Sequence, residues 1–433
     1  MESSCALVKR PRLSYDTQTP RSLLNKANWP YFDDGDVIIQ LQDEECLWTL
    51  RLHRSELEAD SHQMTLLFSE GNRQGGPEGF AFHLTLGTPR TNDPIPRLTM
   101  RRRERPAVST DISVAYRSFF AILYQQPLLL STTDVLRAQY QAEILVHIAK
   151  RYGILEKLRP HLITHFSSFH VELFKSVAMD PPRWLNLAVD MEYEAIYKEA
   201  LIHLVGMYPN HTGWAHAERT VPPALLDTIR DKGKELQQKV KDCIIRLFKI
   251  KLVRRTADNP RGDPPGTAMT LTYGSVERFI LLSLHSEWLR RQLDLIEAYD
   301  NQRGPAPVPA AAAPGGRARP RPLPTAQPRG FGLLVRAIIT DSEQYLPWHK
   351  VHGDLVDALH NFIAGPIVAQ LEHDLRLLKT QTQGVIMHMG LNKKNLVVDE
   401  QTVRGLTYLI CADVGPEDVV WRKEWRGRGW NGG

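Results

Sequence analysis

Cysteine is scarce in this chain: four in 433 residues, at Cys5, Cys46, Cys243 and Cys411, with no C-x-x-C pair. A disulfide framework or a zinc ribbon needs closely spaced cysteines, so neither is expected, and the usage fits a reducing compartment. Long apolar runs are lacking too. The longest, Phe119 to Tyr124, falls far short of the roughly 18 residues that cross a bilayer. No membrane insertion is expected. The opening MESSCALVKRPRL has none of the apolar core of a signal peptide, so we expect an intracellular protein, cytoplasmic or nuclear. Also missing are G-x-S-x-G, a phosphate-cradling glycine loop, and any dinucleotide fingerprint set between a strand and a helix. Nucleophilic and nucleotide chemistry lose their usual supports, and we expect no enzyme and no cofactor.

What is present is a chain 42% hydrophobic and 24% charged, the composition of a globular protein long enough for two or three domains. The net charge of +5 is unevenly placed. KRPR at 9–12, RRRER at 101–105, RARPR at 317–321 and RKEWRGR at 422–428 each carry +3, which leaves −7 for everything else. A mildly acidic remainder argues against a broad basic face that tracks phosphates.

Along the chain, residues 1–30 read as a disordered, polar and basic tail. Asp36 to Leu41, a QDEEC turn and LWTLRLH read as a hairpin, with Trp48, Leu50 and Leu52 alternating toward one buried face. RSELEADSHQMTLLF reads as one or two short helices with Leu57, Met64, Leu67 and Phe68 inward. Residues 71–111 read as an insertion loop whose only strand is FAFHLTL. AYRSFFAILY predicts a short helix, and QQPLLLS an extended link. In QAEILVHIAKRYGILEKL, Ile144, Leu145, Ile148, Ala149, Tyr152 and Leu155 share one helical face, and Gly153 marks a helix end of positive φ.

Residues 167–301 read as helical almost throughout. Leu226, Ile229, Gly233, Leu236, Val240, Cys243, Leu247 and Ile250 follow a 3.5-residue spacing, read as packing within the chain rather than a coiled-coil seam. Residues 302–330, rich in proline, alanine and arginine, read as a linker. Residues 331–433 read as helices followed by a strand-like LTYLICADV and a tryptophan-rich end.

The succession DVIIQL, LWTLRLHRSELEADSHQMTLLF, FFAILYQQPLLL and ILVHIAKRYGILEKL resembles the BTB/POZ domain, a small sheet clasped by helical hairpins. Carrying the resemblance are Asp36 before the first strand, His53 and Leu57 in an H-x-x-x-L step, Leu123 and Tyr124 at a helix end, and Ala149, Tyr152 and Gly153. It covers about residues 31–166. The continuation around PPRWLNLA and EALIHLVGMYP is similar to that of uncharacterised BTB proteins of filamentous fungi. The resemblance implies an α+β chain: a BTB/POZ-like domain, a mostly α-helical region and a linked mixed C-terminal segment. It further implies a protein-protein interaction adaptor or scaffold that forms homodimers and docks partners, among them the cullin scaffolds of ubiquitin ligases. Family members that dock a cullin carry an apolar residue, any residue, then glutamate before the LY step. Tyr116, Arg117 and Ser118 stand there without the glutamate, a departure that argues against cullin docking. Together with Gln125 and Gln126 they make up the expected protein interface.

The alternative is a nuclear regulatory factor that contacts nucleic acid through its basic segments, with KRPR read by an import receptor and Trp421, Trp425 and Trp430 stacking among arginines. The acidic remainder makes nucleic acid the less expected partner, and a tail folded back on the body the expected arrangement. His161 and His165, at i and i+4, share a face as zinc ligands must, with His170 nearby, and His349 and His352 form a second pair. No carboxylate or further ligand accompanies them, so we expect structural or surface histidines and no metal.

Overall fold

The computed structural model describes residues 31–44, 47–70, 82–89, 93–100, 108–211, 213–255, 268–270, 276–302, 330–359 and 365–422. The tail at 1–30, the clusters KRPR, RRRER and RARPR, Cys5, Cys46, the linker at 303–329, Trp425 and Trp430 lie outside them. The chain divides into two compact units, Met1–Ser176 with Leu187–Tyr193, and Val177–Asn186 with Glu194–Gly433.

The first unit opens with β1 (Val37–Gln42) and β2 (Leu47–Leu52), an antiparallel hairpin in the register Val37↔Leu52 to Gln42↔Leu47. Alternation decides which face is buried: Val37, Ile39, Leu41, Leu50 and Leu52 are inside, whereas Trp48 is only half-buried. Two short helices follow, α1 (Arg54–Asp60) and α2 (His62–Glu70), packing Leu57, Met64 and Phe68 beneath the sheet.

β3 (Phe82–Leu86) and β4 (Leu98–Thr99) correct the reading of 71–111 as an insertion with one strand. β3 runs parallel to β1, from Val37↔Phe82 to Gln40↔Thr85, and β4 pairs antiparallel with β3. The sheet order is β2-β1-β3-β4, which makes β1 and β3 interior strands. Parallel neighbours need a crossover, and α1 and α2 supply it.

α3 (Thr110–Leu123) begins earlier than its apolar core suggests, because Ser109 caps it by accepting from the Ile112 amide at 3.4 Å. α4 (Val135–Tyr152) is capped by Asp134, whose Oδ1 accepts from the Leu136 and Arg137 amides, both at 3.0 Å. It ends at Gly153 with φ 75°, as read, and α5 (Leu155–Ser167) restarts at once. α6 (Val171–Met179) and α7 (Pro181–Met191) are each divided between the two units.

In the second unit α8 (Glu194–Met207) is buried on nearly every side, as expected of a central helix. α9 (Trp214–Thr220) and α10 (Pro223–Phe248) follow. Of the 3.5-residue stripe, Leu226, Ile229, Gly233, Leu236, Cys243 and Leu247 are buried, and α10 packs on α8 and α14. The helical reading of 167–301 missed a small hairpin, β5 (Val253–Arg255) with β6 (Ala268–Thr270). α11 (Val276–Gln302), α12 (Phe331–Ile339), α13 (Trp348–Leu359) and α14 (Gly365–His388) pack together. Buried Asp374 accepts from Arg278 Nε at 2.9 Å, and His285 lies 3.2 Å from Thr382 Oγ1. α15 (Glu400–Gly405) and one 3-10 turn, Pro416–Asp418, complete the elements. The middle and C-terminal helices thus fall in one unit, although the sequence separates them by a linker.

LTYLICADV forms no strand and joins no sheet. It is a strap laid across helices. Gly332 N donates to Thr407 O at 3.0 Å, and Arg336 reaches Leu406 O. Asn395 N donates to Ile410 O at 3.2 Å and Asn395 Nδ2 to Ala412 O at 2.9 Å. The approach is so close that a Cβ on Gly206 would lie 2.2 Å from Leu409 O, and one on Gly332 2.1 Å from Tyr408 O. Only glycine permits such contact between a helix and a passing backbone.

Candidate protein-interaction surface

Three of the five residues expected at the interface stand consecutively on α3, where neighbours point about 100° apart. They cannot share a face. Tyr116 and Ser118 are fully buried and only Arg117 reaches solvent, which removes Tyr116 and Ser118 from any surface. Each has an internal task. Ser118 Oγ accepts from the Leu129 amide at 3.1 Å. The Tyr116 hydroxyl donates to Pro96 O and is hydrogen-bonded to the Tyr152 hydroxyl, which accepts from the Leu98 amide at 3.1 Å. Burial pushes both phenols above their ordinary values. Arg117 lies 3.7 Å over the ring of Trp48, whose Nε1 donates to Asp43 at 2.7 Å. Burial draws its guanidinium below its usual range, and the charge of Asp43 opposes this.

The phenol pair belongs to a clamp on residues 93–98. Arg151 donates to Pro96 O at 3.2 Å and to Asp93 Oδ1 at 2.5 Å, and Arg97 to Asp93 Oδ2 at 3.0 Å. Burial would raise the Asp93 carboxyl, but the Arg97 hydrogen bond and the Arg151 charge outweigh it and hold it below the usual range.

The residues that carry the family resemblance sit at the joints of this unit. The His53 amide donates to the Tyr124 hydroxyl at 2.8 Å, and Tyr124 is stacked on Phe32 at 4.7 Å. Burial lifts the Tyr124 phenol to about 12, with the His53 hydrogen bond opposing. Leu57 is wholly buried, and Ser61 Oγ donates to Tyr152 O at 2.5 Å, tying α1 and α2 to the end of α4.

Gln125 and Gln126 are exposed. Gln125 has φ 54°, and the Gln126 amide donates to Ala121 O at 2.9 Å, a helix-closing turn in which the left-handed position usually belongs to glycine. Beyond them the surface turns apolar, with Leu129, Leu136 and Tyr140 at 38%, 43% and 46% exposure. Leu136 and Tyr140 stand one turn apart on α4. Ser131 N donates to Gln141 Oε1 at 2.8 Å, so the connection between α3 and α4 is held against both helices. The sequence carried a signal for this patch: both side chains lie off the buried stripe of α4, on the side of Glu143 and His147, where polar residues are expected.

In the second unit buried Glu199 holds backbone and buried His203 holds a side chain. Glu199 accepts from the Val397 amide at 2.9 Å and the Val398 amide at 3.2 Å, and burial raises its carboxyl against those bonds. His203 Nδ1 lies 2.7 Å from the Tyr408 hydroxyl, and burial lowers the imidazole to about 3. A shallow cleft of about 290 Å³ is lined by Asp180, Met207, His211, His216, Thr407 and Tyr408 among others. His211 Nδ1 accepts from Gly213 N at 3.1 Å, and His216 lies 3.6 Å from Asp180. Trp421 meets Tyr197 edge-on at 5.0 Å, so this first part of the tryptophan-rich end lies on the body.

His165 donates from Nε2 to Ser131 O at 2.9 Å, and burial lowers its value while that bond opposes. His161 and His352 are half-buried, His170 and His349 exposed. Among the described residues no three His, Cys, Asp or Glu side chains come together as a metal would require, and no helix is long and apolar enough to cross a membrane. No family model, curated protein or solved structure matches the chain.

Proposed function

We propose that the chain is a protein-protein interaction adaptor or scaffold, acting through a first unit of BTB/POZ-like build, and that it performs no chemistry of its own. The observation that carries this reading is the arrangement of that unit. A strand hairpin, a helical hairpin, α3 and a closing pair α4 and α5 follow in the order of the four stretches that carry the resemblance, and a third strand that those stretches do not include runs parallel to the first. His53, Leu57, Tyr124, Tyr152 and Gly153 join them. The patch from Gln125 through Leu129 to Leu136 and Tyr140 is the surface on which a protein partner, or a second copy, would dock. Tyr140 is of a residue type enriched at interfaces and among the residues that carry binding energy, and Leu129 and Leu136 add apolar area beside it. We do not propose a cullin as that partner, because the position where the glutamate is expected is held by the buried Ser118.

The test is affinity purification of the tagged full-length chain with mass spectrometry, beside the double variant Leu136→Glu, Tyr140→Glu. Partners that co-purify with the native chain should be lost from the variant, while its circular dichroism melt stays within a few degrees. An unchanged partner list would remove this surface from the proposal, and the absence of any partner or self-association would overturn the adaptor reading.

A further inference from the structure

We propose that the outward face of the second half of α10 binds an acidic segment of a partner protein that carries apolar side chains. This rests on the second unit alone and is independent of the reading of the first. Opposite the buried stripe of α10 the exposed side is patterned as well. Lys234, Gln238, Lys241, Ile245 and Phe248 recur at three- and four-residue steps along an outward line of about 21 Å, and Lys249 at the C-cap lies four positions after Ile245. Ile245 is 50% exposed and Phe248 39%.

The two halves of the helix treat their cations differently. In the first, Arg230 pairs with Glu218 and Asp227, Lys232 with Asp418, and Lys234 with Asp231. In the second, Lys239, Lys241 and Arg246 are exposed, as are Lys249 at the C-cap and Lys251 just past it, and none of the five forms an ion pair among the described residues. The one acid there, Asp242, accepts from Gln238 at 2.9 Å. Lys241 and Lys249 share the face of the two apolar side chains, with no carboxylate partner among the described residues, and this pairing of charge with apolar surface fits a ligand with both features, since charge complementarity selects acidic partners and the apolar pair supplies an anchor. A phosphate backbone would leave Ile245 and Phe248 in water. A helix lying in a membrane interface buries an apolar face along its length, whereas here that face is turned into the core and one turn alone offers apolar side chains.

The experiment uses the full chain and a fluorescein-labelled peptide of roughly fifteen residues, matched to the stripe, built of glutamate and alanine with two leucines at i and i+3. Fluorescence anisotropy should show saturable binding that weakens as salt rises. Lys241→Glu with Lys249→Glu, and separately Ile245→Ser with Phe248→Ser, should each weaken it by roughly tenfold or more. All four positions are exposed, and an unchanged thermal melt will show that the fold is kept. No saturable binding, binding indifferent to both double variants, or stronger binding to phosphatidylserine vesicles or to oligouridine would overturn the proposal. So would a dimer in sedimentation that dissociates on charge reversal, which would assign the stripe to a second copy.

Discussion

Replacing Tyr152 by phenylalanine removes one oxygen and leaves the ring, and the structure says what that oxygen holds. It accepts from the Leu98 amide at 3.1 Å, in a place where Leu98 is 4% and Tyr152 5% exposed. The Leu98 N–H then stays buried without an acceptor, at a cost of about 1–3 kcal/mol. Tyr116 loses its phenol neighbour but keeps Pro96 O. For a unit of this size, about 2 kcal/mol lowers the melting temperature by roughly 4–8 °C. Tyr152→Ala also removes the ring packed at 5.2 Å on Phe119, and adds a cavity that brings the total to about 4–6 kcal/mol, a large part of a typical domain's stability. Urea denaturation gives the free energies, and amide hydrogen exchange gives the local readout. Leu98 should lose protection in the phenylalanine variant before the amides of β1 and β2 do. A phenylalanine variant within about 0.5 kcal/mol of the native chain, with Leu98 exchange unchanged, would refute the clamp on residues 93–98.

Two further outcomes follow from the second unit. Burial lowers His203 to about 3 and His285 to about 4. The unfolded chain takes up these protons near pH 6.5 and the folded chain does not, so stability present above that value is lost as pH falls; from pH 7 to 5 the loss is about 2 kcal/mol per histidine. Glu199, raised by burial, acts in the opposite sense, so the measurement is the difference in urea midpoint shift between native and His203→Asn proteins, and equal shifts would refute the assignment. Gly332→Ala puts a Cβ 2.1 Å from Tyr408 O and should cost about 3 kcal/mol or more, whereas Gly384→Ala, mid-helix with nothing within 4 Å, should stabilise by about 1 kcal/mol; thermal melts that move alike would show that the strap does not press on α12.

The sheet hairpin, α4 and its glycine end were legible because each is specified within a few residues, by alternation, by helical spacing or by a positive φ. The pairing of β3 with β1 was not. Its partner lies about forty residues away, and FHLTL looks the same whether it sits in a loop or between two strands. The strap failed for a related reason. An alternating extended run has the local signature of a strand, and what it hydrogen-bonds to is decided by neighbours, here Gly332, Arg336 and Asn395. At the candidate surface, family position placed Tyr116, Arg117 and Ser118 together, while helix geometry separates them. The apolar pair Leu136 and Tyr140 lies one turn apart on the polar side of α4, off the larger buried stripe that defines the helix in the sequence.

The strap also sets a timetable. Its backbone lies on Gly206 of α8 and on Gly332 of α12, so α8 leaves the ribosome about two hundred residues before the chain that covers it. At roughly 5–20 residues per second, that face of the helix waits on the order of 10–40 s, with the Glu199 carboxylate lacking its two amide donors at Val397 and Val398. The second unit therefore cannot close as it is made, helix by helix. It must be held open, by its own loose collapse or by a chaperone, until residues 397–410 arrive.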